Sequence, residues 1–230
     1  MPVFQLTDEV YFPNPREAED DGLFAVGGDL SVDRLFLAYS NGIFPWFNEG
    51  DPIIWWCPKE RYIIRPEKIH ISHSMKKFFR KHQTEIKINR DFADTMHRCR
   101  LKREHEKDGT WINDAMEEAY KRFHEYGFAV SVEAFCDGQL AGGLYGVMIG
   151  KCFFGESMFS EMENGSKIAL IKLAQILEKV GSPMIDCQFH TDHLESMGGE
   201  TISYDEYISL IRGSMEDYSK SEGESAEDIQ

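Results

Sequence analysis

Asp186 and Gln188 stand two residues apart in the stretch Met184-Ile185-Asp186-Cys187-Gln188. Alternate side chains share one face of a strand, so this spacing predicts a carboxylate beside a carboxamide, with Cys187 on the opposite face. Such a pair can hold the amide in one orientation, and it can accept a proton through the amide or through water. A polar strand end with ordinary hydrogen bonds would read the same way. Glu156 lies between Gly155 and Ser157 in an otherwise apolar run, Phe153 to Phe159. A carboxylate there needs a partner or a task, unless it stands at a wet strand edge. Gly155 leaves room for a ligand to approach the backbone. Of the four tryptophans, Trp46 follows Pro45 in an apolar loop and Trp111 follows a charged one. Either can stack on a nucleobase or fill a core. Cys187, His190 and Asp192 are the residue types of a thiol nucleophile set, but the strand reading turns Cys187 away from the Asp186–Gln188 side. His190, Asp192 and His193 lack zinc-site spacing, so no metal is expected. Gly27-Gly28-Asp29-Leu30-Ser31 lacks the lysine of a phosphate-binding loop.

The elements that must hold these residues can be read from periodicity and caps. Ser31 caps a predicted helix from about Val32. Asn48 to Pro52 is turn-rich, and Ile53 to Trp56 is a short apolar strand running into Pro58. Ser74 to Lys81 is predicted helical, with Met75, Phe78 and Phe79 on one side and Lys76, Lys77, Arg80 and Lys81 mostly on the other. A second helix is expected over Arg90 to Arg100, then a charged loop to Gly109. Asn113 caps a helix from Asp114 to Tyr126. Asp137-Gly138 joins strands Phe128–Cys136 and Gln139–Ile149 as a hairpin. A third strand runs from Cys152 to Met158, a helix from about Glu163 to Val180, a strand from Met184 to Gln188, and a last helix from a Ser203/Glu206 capping box to about Ile211. This order predicts an α+β protein. Residues 1–60 form a small α/β N-terminal domain. Residues 61–213 form an acyltransferase (GNAT)-like domain with a mostly antiparallel sheet. An acidic tail, 214–230, is expected to fray.

The chain of 230 residues is 42% hydrophobic and 13% aromatic, which is inconsistent with disorder. It has no run of ~20 apolar residues that would span a membrane. The first ten residues have neither the basic nor the apolar region of a secretory signal. Its five cysteines show no C-x-x-C spacing and read as reduced thiols, favouring the cytoplasm. The net charge is −15, yet Lys59 to Arg103 holds fourteen basic residues against five acidic ones, a local excess of nine over a remainder of −24. That asymmetry can make a positive face on an acidic body, or simply a solvated helical surface.

Many segments now fall into one order: Gly27-Gly28-Asp29-Leu30, Gly42-Ile43-Phe44-Pro45-Trp46-Phe47, Trp55-Trp56-Cys57-Pro58, His70-Ile71-Ser72, Gly109-Thr110-Trp111-Ile112, Gly142 to Val147, Gly155-Glu156-Ser157-Met158-Phe159-Ser160, Glu163-Asn164, Ser166-Lys167 and Asp186-Cys187-Gln188. From about Gly22 to Gly198 the chain resembles the leucyl/phenylalanyl-tRNA–protein transferases. The resemblance implies transfer of Leu or Phe, with use of Met open, from charged tRNA to proteins beginning with Arg or Lys, exposing them to N-degron proteolysis. It implies a catalytic relay of Asp186 and Gln188, with Glu156 as an active-site acid. Trp46 and Trp111 would form part of the aminoacyl-adenosine site, and Leu144, Met158, Leu170, Leu173 and Ile185 an apolar pocket. The basic face, represented by Lys76, Lys77, Arg80 and Lys81, would meet the tRNA. At Thr191 the family can carry Asn, so the resemblance assigns that position no role. The aminoacyl ester is already activated, so no cofactor is implied, and a monomer is expected. Two rival readings are a coenzyme-A-dependent N-acetyltransferase and a non-catalytic RNA- or protein-binding module. The first would need a Q/R-x-x-G-x-G/A pyrophosphate loop before the helix near Glu163, which the sequence lacks.

Overall fold

The computed structural model describes residues 3–104 and 110–227. The first sheet is built from β1 (Phe4–Leu6), β2 (Leu23–Gly27), β3 (Phe44–Pro45) and β4 (Ile54–Trp56) in the order β1-β2-β4-β3, with only β1 and β2 parallel. Helix α1 (Val32–Ser40) packs beside it, and Ser31 accepts a hydrogen bond from the Arg34 amide as its N-cap. The Gly-Gly-Asp-Leu-Ser motif does structural work. Arg34 is fully buried and donates to Asp29 and to the carbonyls of Thr7 and Glu9, tying the N-terminal segment down.

Seven strands form the second sheet: β5 (Glu60–Ile64), β6 (Thr84–Ile88), β7 (Ala129–Cys136), β8 (Gln139–Ile149), β9 (Cys152–Ser160), β10 (Ile185–Asp186) and β11 (Glu200–Ser203). Their order is β11-β5-β10-β9-β8-β7-β6, and every pairing is antiparallel except β10 with β9. Helices α2 (His73–Lys81), α3 (Phe92–Glu104), α4 (Asp114–Glu125), α5 (Gly165–Lys179), α6 (Asp192–Ser196) and α7 (Tyr204–Glu227) surround it. On one face α5 buries Ile168, Leu170, Ile171, Leu173 and Leu177 against Val132, Leu144 and Ile185. Each such side chain contributes about 1.5–3 kcal/mol by leaving water. On the other, a single apolar cluster runs from Trp55 and Tyr39 beneath the first sheet to Tyr120, Tyr145 and Tyr207 beneath the second. Gly165 lets the α5 N-terminus touch β8: an added Cβ would lie 1.8 Å from the Ala141 oxygen.

Three expectations need correction. The charged loop expected from Arg100 is helical to Glu104; residues 105–109 lie outside the described part. The last helix does not stop near Ile211 but runs to Glu227. The strand expected over Met184–Gln188 is only Ile185–Asp186, because Gln188 takes φ +58° and leaves the extended conformation. Among the described residues no helix is long and apolar enough to cross a membrane.

Candidate active site

The parallel pair β9–β10 creates the site. The two strands are in register at Ile185–Phe153 and Asp186–Phe154, and there β10 ends while β9 continues to Ser160. Past that point nothing among the described residues pairs with this side of β9, and a cavity of about 420 Å³ opens in the gap. One wall is Gly155-Glu156-Ser157-Met158 of β9, and the other is Cys187-Gln188-Phe189 leaving β10. Leu144 and Ile185 with Leu170 of α5 form an apolar floor. Trp46 and Trp111 stand in its rim.

Asp186, Gln188, Glu156, Trp46, Trp111, Leu144, Met158, Leu170 and Ile185 are therefore brought together around one cavity. Leu173 is not part of its lining; it is buried in the core between α5 and the sheet. Lys76, Lys77, Arg80 and Lys81 lie exposed on α2 and do not line the cavity.

Asp186 and Gln188 are related differently from the strand reading. Asp186 is fully buried, and Oδ1 accepts from Arg61 Nε (2.9 Å) and the Gln188 backbone N–H (2.9 Å). Oδ2 accepts from an Arg61 terminal nitrogen (2.8 Å) and the Tyr207 hydroxyl (2.8 Å). A carboxylate has about four acceptor positions. With all of them engaged, Asp186 has no lone pair left to take a proton from Gln188. It instead fixes the turn that aims Gln188. Burial pulls the Arg61 pKa down, but the facing carboxylate more than offsets this and holds the guanidinium charged. The Gln188 side-chain nitrogen is buried without a hydrogen-bond partner. An amide donor left unmet in the interior costs about 1–3 kcal/mol.

Glu156 is partly buried, and desolvation pushes its carboxyl up to about 7, against the lowering effect of the Tyr39 hydroxyl. Tyr39 donates to Glu156 Oε1 at 2.6 Å and is itself hydrogen-bonded to Tyr120. Glu156 is thus poised between its two charge states near neutral pH. Cys187 lies in the wall instead of facing away, but burial raises its thiol pKa first and Asp186 adds to that. Its S–H points to the Ile185 carbonyl (3.7 Å), so it is a poor nucleophile. His190 meets Glu195 (3.1 Å) and the edge of Tyr62. Thr191 caps α6 by accepting from the Leu194 amide (3.2 Å). Asn and Thr are both good caps, so the departure at this position preserves a structural role.

A family model described as leucyl/phenylalanyl-tRNA protein transferase matches residues 63–212, and one for the N-terminal domain of the same enzymes matches residues 28–59. The chain belongs to this family. It is 47% identical over 211 residues to the leucyl/phenylalanyl-tRNA–protein transferase of Syntrophobacter fumaroxidans, covering 92% of this chain and 90% of that one. It is 49% identical over 209 residues to that of Nitrosospira multiformis, covering 90% of each. Solved structures resemble it less: L-PGS from Bacillus licheniformis shares 11% identity at TM-score 0.44, covering 75% of this chain and 66% of that one, a level that carries no conclusion.

Arg61, Tyr207, Tyr39, Tyr120, Arg103 and Phe189 complete the site, and no motif or spacing in the sequence points any of them to it. One signal is available. Arg61 stands beside Tyr62-Ile63-Ile64, a charge beside an apolar run, as Glu156 does. Its place among other basic residues disguises it as part of an RNA-facing stretch.

Proposed function

We propose that the cavity holds the aminoacyl end of a charged tRNA and transfers Leu or Phe to the α-amine of a protein beginning with Arg or Lys, marking that protein for N-degron proteolysis. The observation that carries this reading is that Gln188 and Glu156 line one cavity with the apolar Leu144, Met158, Leu170 and Ile185. The slot takes the Leu or Phe side chain among Leu144, Met158, Leu170 and Ile185, while Trp46 and Trp111 take the terminal adenine. The neutral acceptor amine attacks the ester carbonyl carbon. Its lone pair forms the C–N bond, and the carbonyl electrons move onto oxygen. Gln188 donates to that oxyanion. Collapse breaks the bond to the ribose oxygen, which receives the proton the amine gives up. Glu156, with a pKa near 7, takes that proton from the amine as a carboxylate and passes it on to the departing ribose oxygen. Holding both reactants in one cavity supplies much of the acceleration. No separate activation is needed, since the ester is already reactive.

The short parallel pair flanked by antiparallel strands is in keeping with an acyltransferase (GNAT)-like domain over 61–213 behind a small N-terminal domain over 1–60. Five free thiols are in keeping with a reducing compartment such as the cytoplasm. Incubation with radiolabelled Leu-tRNA and two otherwise identical proteins, one beginning with Arg and one with Glu, tests the reading. Label is expected on the first alone. Label on neither, or only with acetyl-CoA as donor, would overturn it.

A further inference from the structure

Among the described residues, four side chains of the cavity lining carry a charge or can gain one near neutral pH: Arg103, Glu156, Asp186 and His193. Asp186 is neutralised by Arg61, and Glu156 accepts from the Tyr39 hydroxyl. Burial, and then Lys167, lowers the His193 pKa. Of these four, only Arg103 is a permanent cation. It stands on the last turn of α3, with Nε donating to Ser157 on β9 (3.0 Å) and its guanidinium 6.0 Å from the centre of the Trp111 ring. A guanidinium held beside an indole presents charge and a flat stacking surface together. A nucleotide offers the matching pair, a phosphate and a base.

We propose that Arg103 binds the 5′-phosphate of the aminoacylated terminal nucleotide while Trp111 receives its base. This rests on the reading of the cavity as the aminoacyl-end site. Arginine suits the task because its planar fork meets phosphate oxygens in pairs. Fastening Nε to Ser157 fixes the fork before the ligand arrives. The phosphate would therefore register the ester against Gln188, and discharged or misplaced ends would sit less well.

The probes are leucylamido-adenosine, a nucleoside whose amide cannot be transferred, and the same molecule with a 5′-phosphate. Each competes with Leu-tRNA for wild type, Arg103→Lys and Arg103→Gln. The phosphate should tighten inhibition of wild type about tenfold or more, as one charge-assisted hydrogen bond does. Arg103→Gln should lose that increment and bind the nucleoside nearly as before, with Arg103→Lys between. The salt slope of Leu-tRNA binding should flatten by about 0.7 in Arg103→Gln, the share of one single-strand phosphate. Equal inhibition of wild type by the two probes would overturn the assignment while leaving the cavity reading intact. Equal weakening of both probes in Arg103→Gln would make Arg103 only a support for Ser157 and Trp111, and also overturn it. Failure of both probes to compete with Leu-tRNA would instead remove the aminoacyl end from this cavity, and the phosphate site with it.

Discussion

Asp186 and Gln188 are neighbours in sequence and in space, yet the proposed reading gives them separable roles. Replacing Asp186 with Ala strands the Arg61 charge in the interior, which typically costs about 3–5 kcal/mol. Asp186→Ala and Arg61→Ala should both lower the melting temperature sharply. Gln188→Ala should melt within about 1 kcal/mol of wild type, since its nitrogen has no internal partner. Its kcat should nonetheless fall about 10²–10³-fold, as when one oxyanion donor is removed. A stable Asp186→Ala variant would show that the ion pair is not what holds the turn. Glu156 yields a second test. Its carboxyl titrates at about 7 in the fold against 4.5 as its ordinary value. Between these values the folded protein binds more protons than the unfolded chain, so stability falls as pH rises. The loss amounts to about 3 kcal/mol well above pH 7. Glu156→Gln lacks this ionisation, so its stability relative to wild type should improve from pH 5 to pH 8. A gap that does not change with pH would mean the carboxyl is not held protonated. Type and spacing in the sequence locate Asp186, Gln188 and Glu156. They conceal the partners, because Arg61 and Tyr39 lie 125 and 117 residues away along the chain.

The elements that matter most to the site are the shortest ones. Long strands such as β7 and β8 are legible because their alternation runs for many residues and Asp137-Gly138 marks the turn. Two-residue β10 has no period to read, so the apolar pattern carries on to Gln188 and gives no sign of the strand end that opens the cavity. Helix α7 is similarly concealed. Its Tyr207 reaches Asp186 across the fold, and Gly42 at φ +74° leaves the space, since a Cβ there would lie 2.6 Å from the Tyr207 ring. The glycine that opens the Gly42 to Phe47 motif thus serves a residue 165 positions later (42 to 207). Helix α5 supplies a test of the slot. Leu170 lines the cavity and Leu173, one turn on, does not. Leu170→Ala should weaken Leu transfer by roughly 1–3 kcal/mol in kcat/KM without rescuing Ile or Val, whose bulk at Cβ clashes nearer the reacting ester. Leu173→Ala should cost about 2–5 kcal/mol of stability and leave the preference among Leu, Phe, Ile and Val unchanged. A changed preference in Leu173→Ala, or none in Leu170→Ala, would move the specificity wall elsewhere.

At the scale of the whole molecule the question is how a chain of net charge −15 receives a polyanion. The excess of nine between Lys59 and Arg103 is smaller in effect than in number. Arg61 faces Asp186, Arg65 faces Glu200 and Glu206, Arg98 faces Asp94 and Glu161, and Arg100 faces Asp114 and Glu117. These pairs fasten β5 to β10 and α7, and α3 to α4 and the end of β9. Helix α2 differs. Lys76, Lys77, Arg80 and Lys81 are exposed, and among the described residues none pairs with a carboxylate. Met75 anchors the helix inward, and Phe79 lies under Lys172 of α5, so the four charges project from a fixed surface. Such a patch can draw tRNA to an acidic body, because close cations dominate over distant anions once salt shortens the range to ~8–10 Å. Affinity for Leu-tRNA should therefore fall steeply with salt, each duplex phosphate that is neutralised contributing about −0.9 to the slope of log K against log salt. Changing all four residues to Ala should flatten that slope by about 0.9 for each phosphate no longer neutralised and raise Kd at low salt. Transfer from a leucylated minimal nucleoside, which reaches only the cavity, should continue at the wild-type rate. A slope unchanged by the fourfold substitution would place the body of the tRNA on another face of the protein.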